Sequence, residues 1–155
     1  MQYVLITGAA GGMGATAAET LRQAGFYVFA LDRQSCEPKE NLLPITADIT
    51  DPVSLQAAYN QVAAGTDSLY ALLHFAGMYI LDSLVELPQE RLQQIFHVNV
   101  LGAMAVNRTF LRDEFLAPRH RRSDDASLGI LHCGSHRLRL VSAVRYLFLC
   151  NGSAW

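Results

Sequence analysis

The sequence TGAAGGMG at residues 7–14 lies between an apolar run, YVLI at residues 3–6, and a stretch of good helix formers. A strand that runs through a glycine-rich turn into a helix suits phosphate binding, because unpaired N–H groups at the helix N-terminus face the ligand's negative charge. We expect Gly8 to permit the tight turn, Gly12 to let the backbone approach a pyrophosphate, and Gly14 to let helix and strand pack closely. A glycine turn without a ligand is the alternative, and the flanking strand and helix favour the phosphate site.

Three later apolar segments predict further strands. Residues 26–31, FYVFAL, are typical of a central parallel strand buried on both faces, and Gly25 is placed to end the helix before them. Residues 42–46 contain Pro44 and predict a short strand at an early or edge position in the sheet. Residues 69–74 predict a fourth strand.

Two more helices complete the pattern. Asp51 can cap a helix that Pro52 begins and Gly65 ends. From Pro88 to Val106, apolar residues recur at three- and four-residue steps, which indicates a long helix. The elements together predict an α/β three-layer Rossmann fold with a parallel sheet of about five strands.

Composition restricts the class of protein. The chain has 155 residues, of which 51% are hydrophobic and 17% charged, as expected for one globular domain. Because no apolar run approaches about 18 residues and no signal-peptide pattern precedes the first strand, we expect a cytoplasmic protein without membrane contact. The cysteines are odd in number and scattered, which fits reduced thiols rather than disulfides or a metal site.

Charge divides the chain near Pro118. Residues 1–117 hold 12 of the 14 acidic side chains but only 6 of the 12 basic ones, so residues 118–155 are basic. A basic tail can contact nucleic acid, but this one has no helical stripe or regular aromatic interleaving, so we expect no nucleic-acid partner. We therefore predict a dinucleotide-binding core at 1–117 and a divergent tail at 118–155.

The spacing T-G-x-x-x-G-x-G resembles that of the short-chain dehydrogenase/reductase family, and the resemblance covers roughly residues 1–116. It implies a doubly wound sheet, an NAD(P) cofactor, and hydride transfer between that cofactor and a small alcohol or carbonyl substrate. The cofactor contacts that it implies are Thr7, Gly8, Gly12, Met13, Gly14, Asp32, Arg33, Asp48, Ile49, Phe75, Ala76 and Gly77.

Acidic residues follow the second and third strands. Asp32 lies where a carboxylate can accept hydrogen bonds from the adenosine ribose and repel a 2′-phosphate, so we expect NAD in preference to NADP. Arg33 beside it could soften that preference, and a solvated loop aspartate is the alternative. The resemblance makes Asp48 and Ile49 adenine contacts, with a plain helix-entry loop as the alternative.

The fourth strand departs from the family pattern. Where the family has Asn-Asn-Ala-Gly, this chain has His74, Phe75, Ala76 and Gly77. The two asparagines usually brace the neighbouring strand and the ribose side of the cofactor, while the two small residues still permit close approach to the nicotinamide half. His74 either replaces some of that hydrogen bonding or is an ordinary core histidine.

The resemblance also implies catalytic residues. The motif HVNVLG at residues 97–102 resembles the family's motif helix and gives Asn99 a catalytic role, holding a water that links a lysine to solvent. A buried amide that satisfies local backbone is the alternative. Ser135, after a fifth strand at 127–133, would bind the substrate carbonyl, and Tyr146 would be the general acid/base.

The family's lysine, four residues beyond the tyrosine, is replaced by Cys150, and Lys39 is the only lysine in the chain. Without that cation a tyrosine keeps its ordinary pKa of ~10, so little phenolate forms at neutral pH. We therefore expect an impaired oxidoreductase, with a non-catalytic NAD(H)-binding module, or pseudoenzyme, and an aggregating fragment as alternatives.

The resemblance accounts for about half of the family fold. We interpret the chain as truncated, with a tail that is either native or the product of a frameshift. The oligomeric state is left open, since the long helix from Pro88 could pair with a copy of itself to form a homo-oligomer.

Overall fold

The computed structural model describes residues 1–81, 83 and 85–111, together with the backbone of residues 141–142. The strands are β1 (Gln2–Thr7), β2 (Phe26–Asp32), β3 (Leu42–Thr46), β4 (Ala71–His74) and β5 (Val141–Ser142). The helices are α1 (Gly12–Gln23), α2 (Pro52–Gly65), α3 (Gln89–Phe96) and α4 (Ala103–Phe110), and a π-helical turn (His97–Gly102) joins α3 to α4.

The strands form one parallel sheet in the order β3-β2-β1-β4-β5. The chain moves outward from β1 to β3 and then crosses back to place β4 on the other side of β1. Ligands of such sheets bind outside the carboxyl ends of the strands, at the point where the strand order reverses. The predicted Rossmann fold is confirmed, and the glycine turn after β1 lies at this reversal.

The predicted strands agree closely with the observed ones. The third strand has the predicted bounds and lies at the edge of the sheet, where Pro44 is tolerated. The fourth begins at Ala71, two residues later than predicted. The fifth strand predicted at 127–133 lies outside the described residues, and the segment that pairs with β4 is β5.

Successive residues of the central strands point to opposite faces and fill two apolar clusters. One cluster packs β1 and β2 against α1, and the other packs them against α2 and α4. Buried members on the α1 face include Val4, Ile6, Ala18, Val28 and Ala30. Buried members on the opposite face include Leu5, Phe29, Leu31, Leu55, Val62, Val106 and Phe110.

Helix ends follow the predicted signals. Asp51 caps α2, because its carboxylate accepts hydrogen bonds from the backbone N–H groups of Val53 and Ser54 at 3.0 and 3.2 Å. Gly25, just beyond α1, has φ +87°, a conformation that favours glycine.

The long helix predicted from Pro88 is found, but the π-helical turn within it was not predicted. A π turn adds a residue to one helical turn and rotates everything beyond it. Apolar steps of three and four residues tolerate that rotation, so the sequence pattern conceals it. Within the described residues, none of the helices has the length and apolar character needed to cross a membrane.

Candidate functional site

An open groove of about 230 Å³ lies at the carboxyl ends of β1 to β4. Most of the residues predicted to contact a cofactor line this groove. They are Gly8, Asp32, Arg33, Asp48, Ile49, Phe75, Ala76 and Gly77. The structure thus brings together residues from four segments that are far apart in the sequence.

The other lining residues were not predicted from the sequence. They are Gly11, Leu31, Ala47, Thr50, Met78, Gln94 and Val98. Gly11, Leu31, Ala47, Thr50 and Met78 adjoin predicted positions and could have been found by extending each motif by a residue or two. Val98 adjoins Asn99 and could have been found in the same way. Gln94 comes from the helical segment before that motif, and no local signal identifies it.

Four predicted contact residues do not line the groove. Thr7 is fully buried, and its hydroxyl bonds to a neighbouring strand. Gly12, Met13 and Gly14 form the first turn of α1, where Met13 is 52% exposed and Gly14 is buried. Gly12 and Met13 are therefore open to an approaching ligand, whereas Thr7 and Gly14 hold the turn together.

Two positions of the turn require glycine, because backbone atoms of other residues approach them closely. Gly8 has φ +71°, and a Cβ on it would lie 2.5 Å from the backbone nitrogen of Ala76. A Cβ on Gly14 would overlap the carbonyl oxygen of Gly8. The tight turn expected at Gly8 is found, and Gly14 packs closely against the turn residues Gly8 and Ala9 rather than against β1 itself. A Cβ on Gly12 would meet nothing within 4 Å, so the backbone there is accessible.

Asp32 ties the glycine turn to the end of β2. Its Oδ2 accepts a hydrogen bond from the Ala10 N–H at 3.0 Å, and its Oδ1 accepts one from the Gln34 N–H at 3.0 Å. A carboxylate has about four acceptor positions, so each oxygen can still accept a bond from a ligand hydroxyl.

Asp48 adds a second negative charge to the groove. The Thr50 hydroxyl and backbone N–H both donate to Asp48 Oδ1, at 2.7 and 2.8 Å. These two bonds, with smaller contributions from the charges of Arg33 and His97, lower the pKa of Asp48 below its usual value. The carboxylate is therefore ionised at neutral pH.

Asn99 joins the π-helical turn to the loop after β4. Its Oδ1 accepts a hydrogen bond from the Met78 N–H at 2.8 Å, and its Nδ2 donates to the Met78 carbonyl at 2.7 Å. The side-chain amide thus hydrogen-bonds to backbone 21 positions away in the chain, and the catalytic role of Asn99 stays a prediction. This pairing holds one end of the groove wall formed by the loop after β4.

His74 lies at the end of β4 and is only 4% exposed. Its Nδ1 lies 2.7 Å from the Thr7 hydroxyl oxygen, and its Nε2 has no partner among the described residues. Burial lowers the pKa of His74 to about 4. The imidazole is therefore neutral at physiological pH.

We expect stability to fall in mild acid because of His74. Above pH 6.5 the imidazole is neutral in both the folded and the unfolded chain. Below pH 6.5 the unfolded chain takes up a proton, whereas the folded one, with a pKa of about 4, does not. The free energy of unfolding should fall by about 3 kcal/mol between these two values. Urea unfolding at several pH values measures the loss.

His74→Asn is the control for this prediction, because an amide has no such titration. Carboxylates contribute equally to both proteins, so the difference between the two pH profiles isolates the imidazole. If the free energy of unfolding fell by the same amount in wild type and His74→Asn between pH 7 and pH 4, the prediction would be wrong.

The predicted catalytic residues Ser135 and Tyr146 lie outside the described residues. Lys39 is described, and it lies away from the groove, with its Nζ 3.1 Å from a carboxylate oxygen of Glu19 on α1. Hydrogen bonds from Arg22, then Lys39, then Gln23 lower the pKa of Glu19 to about 2. The chain's lysine is thus engaged on the surface. Within the described residues, no group of three or more His, Cys, Asp or Glu side chains could hold a metal ion.

A parallel sheet with a glycine turn and an acidic strand end at its reversal point defines the dinucleotide-binding class of Rossmann proteins. The family model described as short chain dehydrogenase matches residues 2–121. The chain belongs to the short-chain dehydrogenase/reductase family.

Similar proteins are oxidoreductases. The chain is 26% identical over 128 residues to a 3-ketodihydrosphingosine reductase from Bacteroides thetaiotaomicron. The aligned region covers 83% of this chain and 48% of the relative. It is 34% identical over 122 residues to human 17-beta-hydroxysteroid dehydrogenase type 2, covering 70% of this chain and 31% of the relative. The chain thus spans about half the length, or less, of these curated relatives.

Solved structures show the same fold. A short-chain dehydrogenase/reductase from Serratia marcescens aligns with a TM-score of 0.65 at 24% identity, over 74% of this chain and 52% of that one. A 3-ketoacyl-(acyl-carrier-protein) reductase from Brucella melitensis, complexed with NADH, aligns with a TM-score of 0.65 at 23% identity, over 71% and 49%.

Proposed function

We propose that the groove binds NAD(H) and that the chain is the cofactor-binding part of an oxidoreductase acting on a small alcohol or carbonyl compound. In this proposal residues 1–117 are the dinucleotide-binding core and residues 118–155 a divergent tail that contributes β5 to the sheet. The observation that carries it is the glycine turn held against Asp32 at the mouth of the groove. A bound nicotinamide would supply or accept the hydride.

The N-terminus of α1 suits a pyrophosphate. Gly11 caps the helix without a side-chain hydrogen bond, and the first turn carries no acidic residue. No side chain of the first turn therefore pairs with its free backbone N–H groups or offsets the positive end of the helix dipole. Gly12 leaves the space that a phosphate needs.

The charges of the groove favour NAD over NADP. The Asp32 carboxylate at the end of β2 would accept hydrogen bonds from ribose hydroxyls and repel a 2′-phosphate. Arg33 also lines the groove and offsets part of that repulsion. The Brucella melitensis reductase, which shares the fold, was solved with NADH.

The second candidate is a module that binds NAD(H) without turnover. The missing lysine favours it, because position 150 is Cys150 and Lys39 is paired with Glu19. Steady-state NADH oxidation with a panel of small ketones and aldehydes distinguishes the two candidates.

We expect calorimetric titration to show saturable NADH binding and weaker NADPH binding. Asp32→Ala should weaken NADH binding by about tenfold or more, because hydrogen bonds to a charged group contribute about 1.5–3 kcal/mol. The same substitution should reduce the difference between the affinities for NADH and NADPH, because the carboxylate that repels the 2′-phosphate is gone.

Asp67→Ala is the matched control, since Asp67 is exposed and does not line the groove. It removes the same charge and should leave both affinities unchanged. Absence of NADH binding by the wild-type chain, or equal affinities for Asp32→Ala and wild type, would overturn the proposal.

A further inference from the structure

A short hydrogen-bonded chain runs from the interior of the sheet to the groove wall. Thr7 and His74 end β1 and β4, and the parallel register places them side by side. The Thr7 hydroxyl oxygen lies 2.7 Å from His74 Nδ1 and accepts a hydrogen bond from the Ala76 N–H at 3.4 Å. A buried side-chain pair is thus connected to the backbone that lines the groove.

The direction of each bond follows from the donors present. The Thr7 oxygen accepts from Ala76, so its single hydrogen is available to donate to Nδ1. In that arrangement His74 is neutral and carries its proton on Nε2. Nε2–H then has no acceptor among the described residues. If Nδ1 were the donor instead, both the Thr7 hydrogen and the Nε2 lone pair would lack partners in a buried site, which costs more. The geometry therefore favours one tautomer.

Ala76 is the point where this chain meets the glycine turn. Its backbone nitrogen lies so close to Gly8 that a Cβ on Gly8 would come within 2.5 Å of it. The preceding N–H, that of Phe75, donates to the Thr7 carbonyl at 2.9 Å. A shift of Ala76 would therefore alter both walls of the groove at once.

We propose that His74 is a positioning residue for the dinucleotide groove. Through the Thr7 hydroxyl it holds Ala76, and with Ala76 the wall formed by Phe75 and Gly77. Asn99 holds the far end of the same wall through Met78. The binding test of this inference rests on the proposed NAD(H) function, and a second test does not.

The first test is a double-mutant cycle on NAD⁺ affinity, measured by calorimetry. Thr7→Val and His74→Leu should each weaken binding by about tenfold, and the double variant should be no weaker than either single variant, because all three break the same connection. His74→Asn should bind within about threefold of wild type, since an amide oxygen can accept the Thr7 hydrogen. Additive losses, or a His74→Asn variant no better than His74→Leu, would overturn the inference.

The second test is amide hydrogen exchange at Ala76, followed by NMR without ligand. Exchange should accelerate in Thr7→Val and His74→Leu and stay at the wild-type rate in His74→Asn. The Val28 amide, which donates to the Asn41 carbonyl at 2.9 Å, is the internal reference. Unchanged Ala76 exchange in both disruptive variants would refute the positioning role.

The two tests separate the two proposals. If no variant binds NAD⁺ but Ala76 exchange responds as expected, the NAD(H) proposal fails and the positioning role stands. If His74→Leu does not fold, Thr7→Val and Thr7→Ser replace it in the comparison. Ser retains the hydroxyl that bonds to His74, whereas Val has the size of Thr but no hydroxyl. Equal Ala76 exchange in those two variants would then refute the role.

Discussion

Replacing Gly8 by alanine should lower the free energy of unfolding by about 3 kcal/mol and abolish saturable NAD⁺ binding. Gly8 has φ +71°, which disfavours any side chain, and the new Cβ would lie 2.5 Å from Ala76 N and 2.6 Å from Phe75 C. These are backbone atoms, so the turn or the wall of the groove must move. Urea unfolding and calorimetry measure the two losses.

Gly25→Ala is the matched control for the backbone strain alone. Gly25 has φ +87°, and a Cβ there would meet nothing within 4 Å. We expect a loss of about 1 kcal/mol and unchanged NAD⁺ affinity. Equal destabilisation by the two substitutions would show that the contact between Gly8 and Ala76 contributes nothing.

Phe110→Ala should destabilise the fold by about 4 kcal/mol. Phe110 is fully buried at the end of α4, and its ring centroid lies 6.0 Å from that of Tyr59 on α2. Truncation removes a large apolar side chain and leaves a cavity between α4, α2 and the sheet. The midpoint and slope of urea unfolding report the loss.

Phe96→Ala makes the same chemical change earlier in the same helical segment. Phe96 is 60% exposed, so its truncation creates no cavity, and we expect a change of at most about 0.5 kcal/mol. If the two substitutions lowered the free energy of unfolding by similar amounts, the prediction that burial decides the cost of truncation would be wrong.

The described residues include most of the proposed cofactor contacts, whereas the predicted catalytic residues Ser135 and Tyr146 lie outside them. The glycine turn, Asp32 and Asp48 form one groove, and Asn99 secures its wall. No lysine follows Tyr146 at the family's spacing. NAD(H) binding is therefore the function to test first, and turnover the second.

Much of the fold could be predicted because its signals are local. The glycine turn, the Asp51 cap and the apolar run that became β2 each depend on neighbouring residues and on periodicity. The third strand was predicted with its observed bounds for the same reason. Where the local sequence strongly prefers one conformation, tertiary packing does not change it.

The candidate site was predicted less completely. Asp32 was identified because an acidic residue after the second strand has a known use in dinucleotide sites, and Asp48 was identified through the family resemblance. Gln94 and Val98 were missed, because only the path of the helical segment after Pro88 brings them to the groove. The π-helical turn in that segment is invisible in a pattern that accepts steps of both three and four residues.

The sequence by itself determined the class of fold, the turn at its reversal point and the absence of the family's lysine, since these are properties of residue type and spacing. Only the tertiary structure decided how His74 and Asn99 are used. His74 meets Thr7 across 67 positions, and Asn99 meets Met78 across 21. Such pairings depend on strand register and helix rotation, which arise from the packing of the whole domain and not from any one segment.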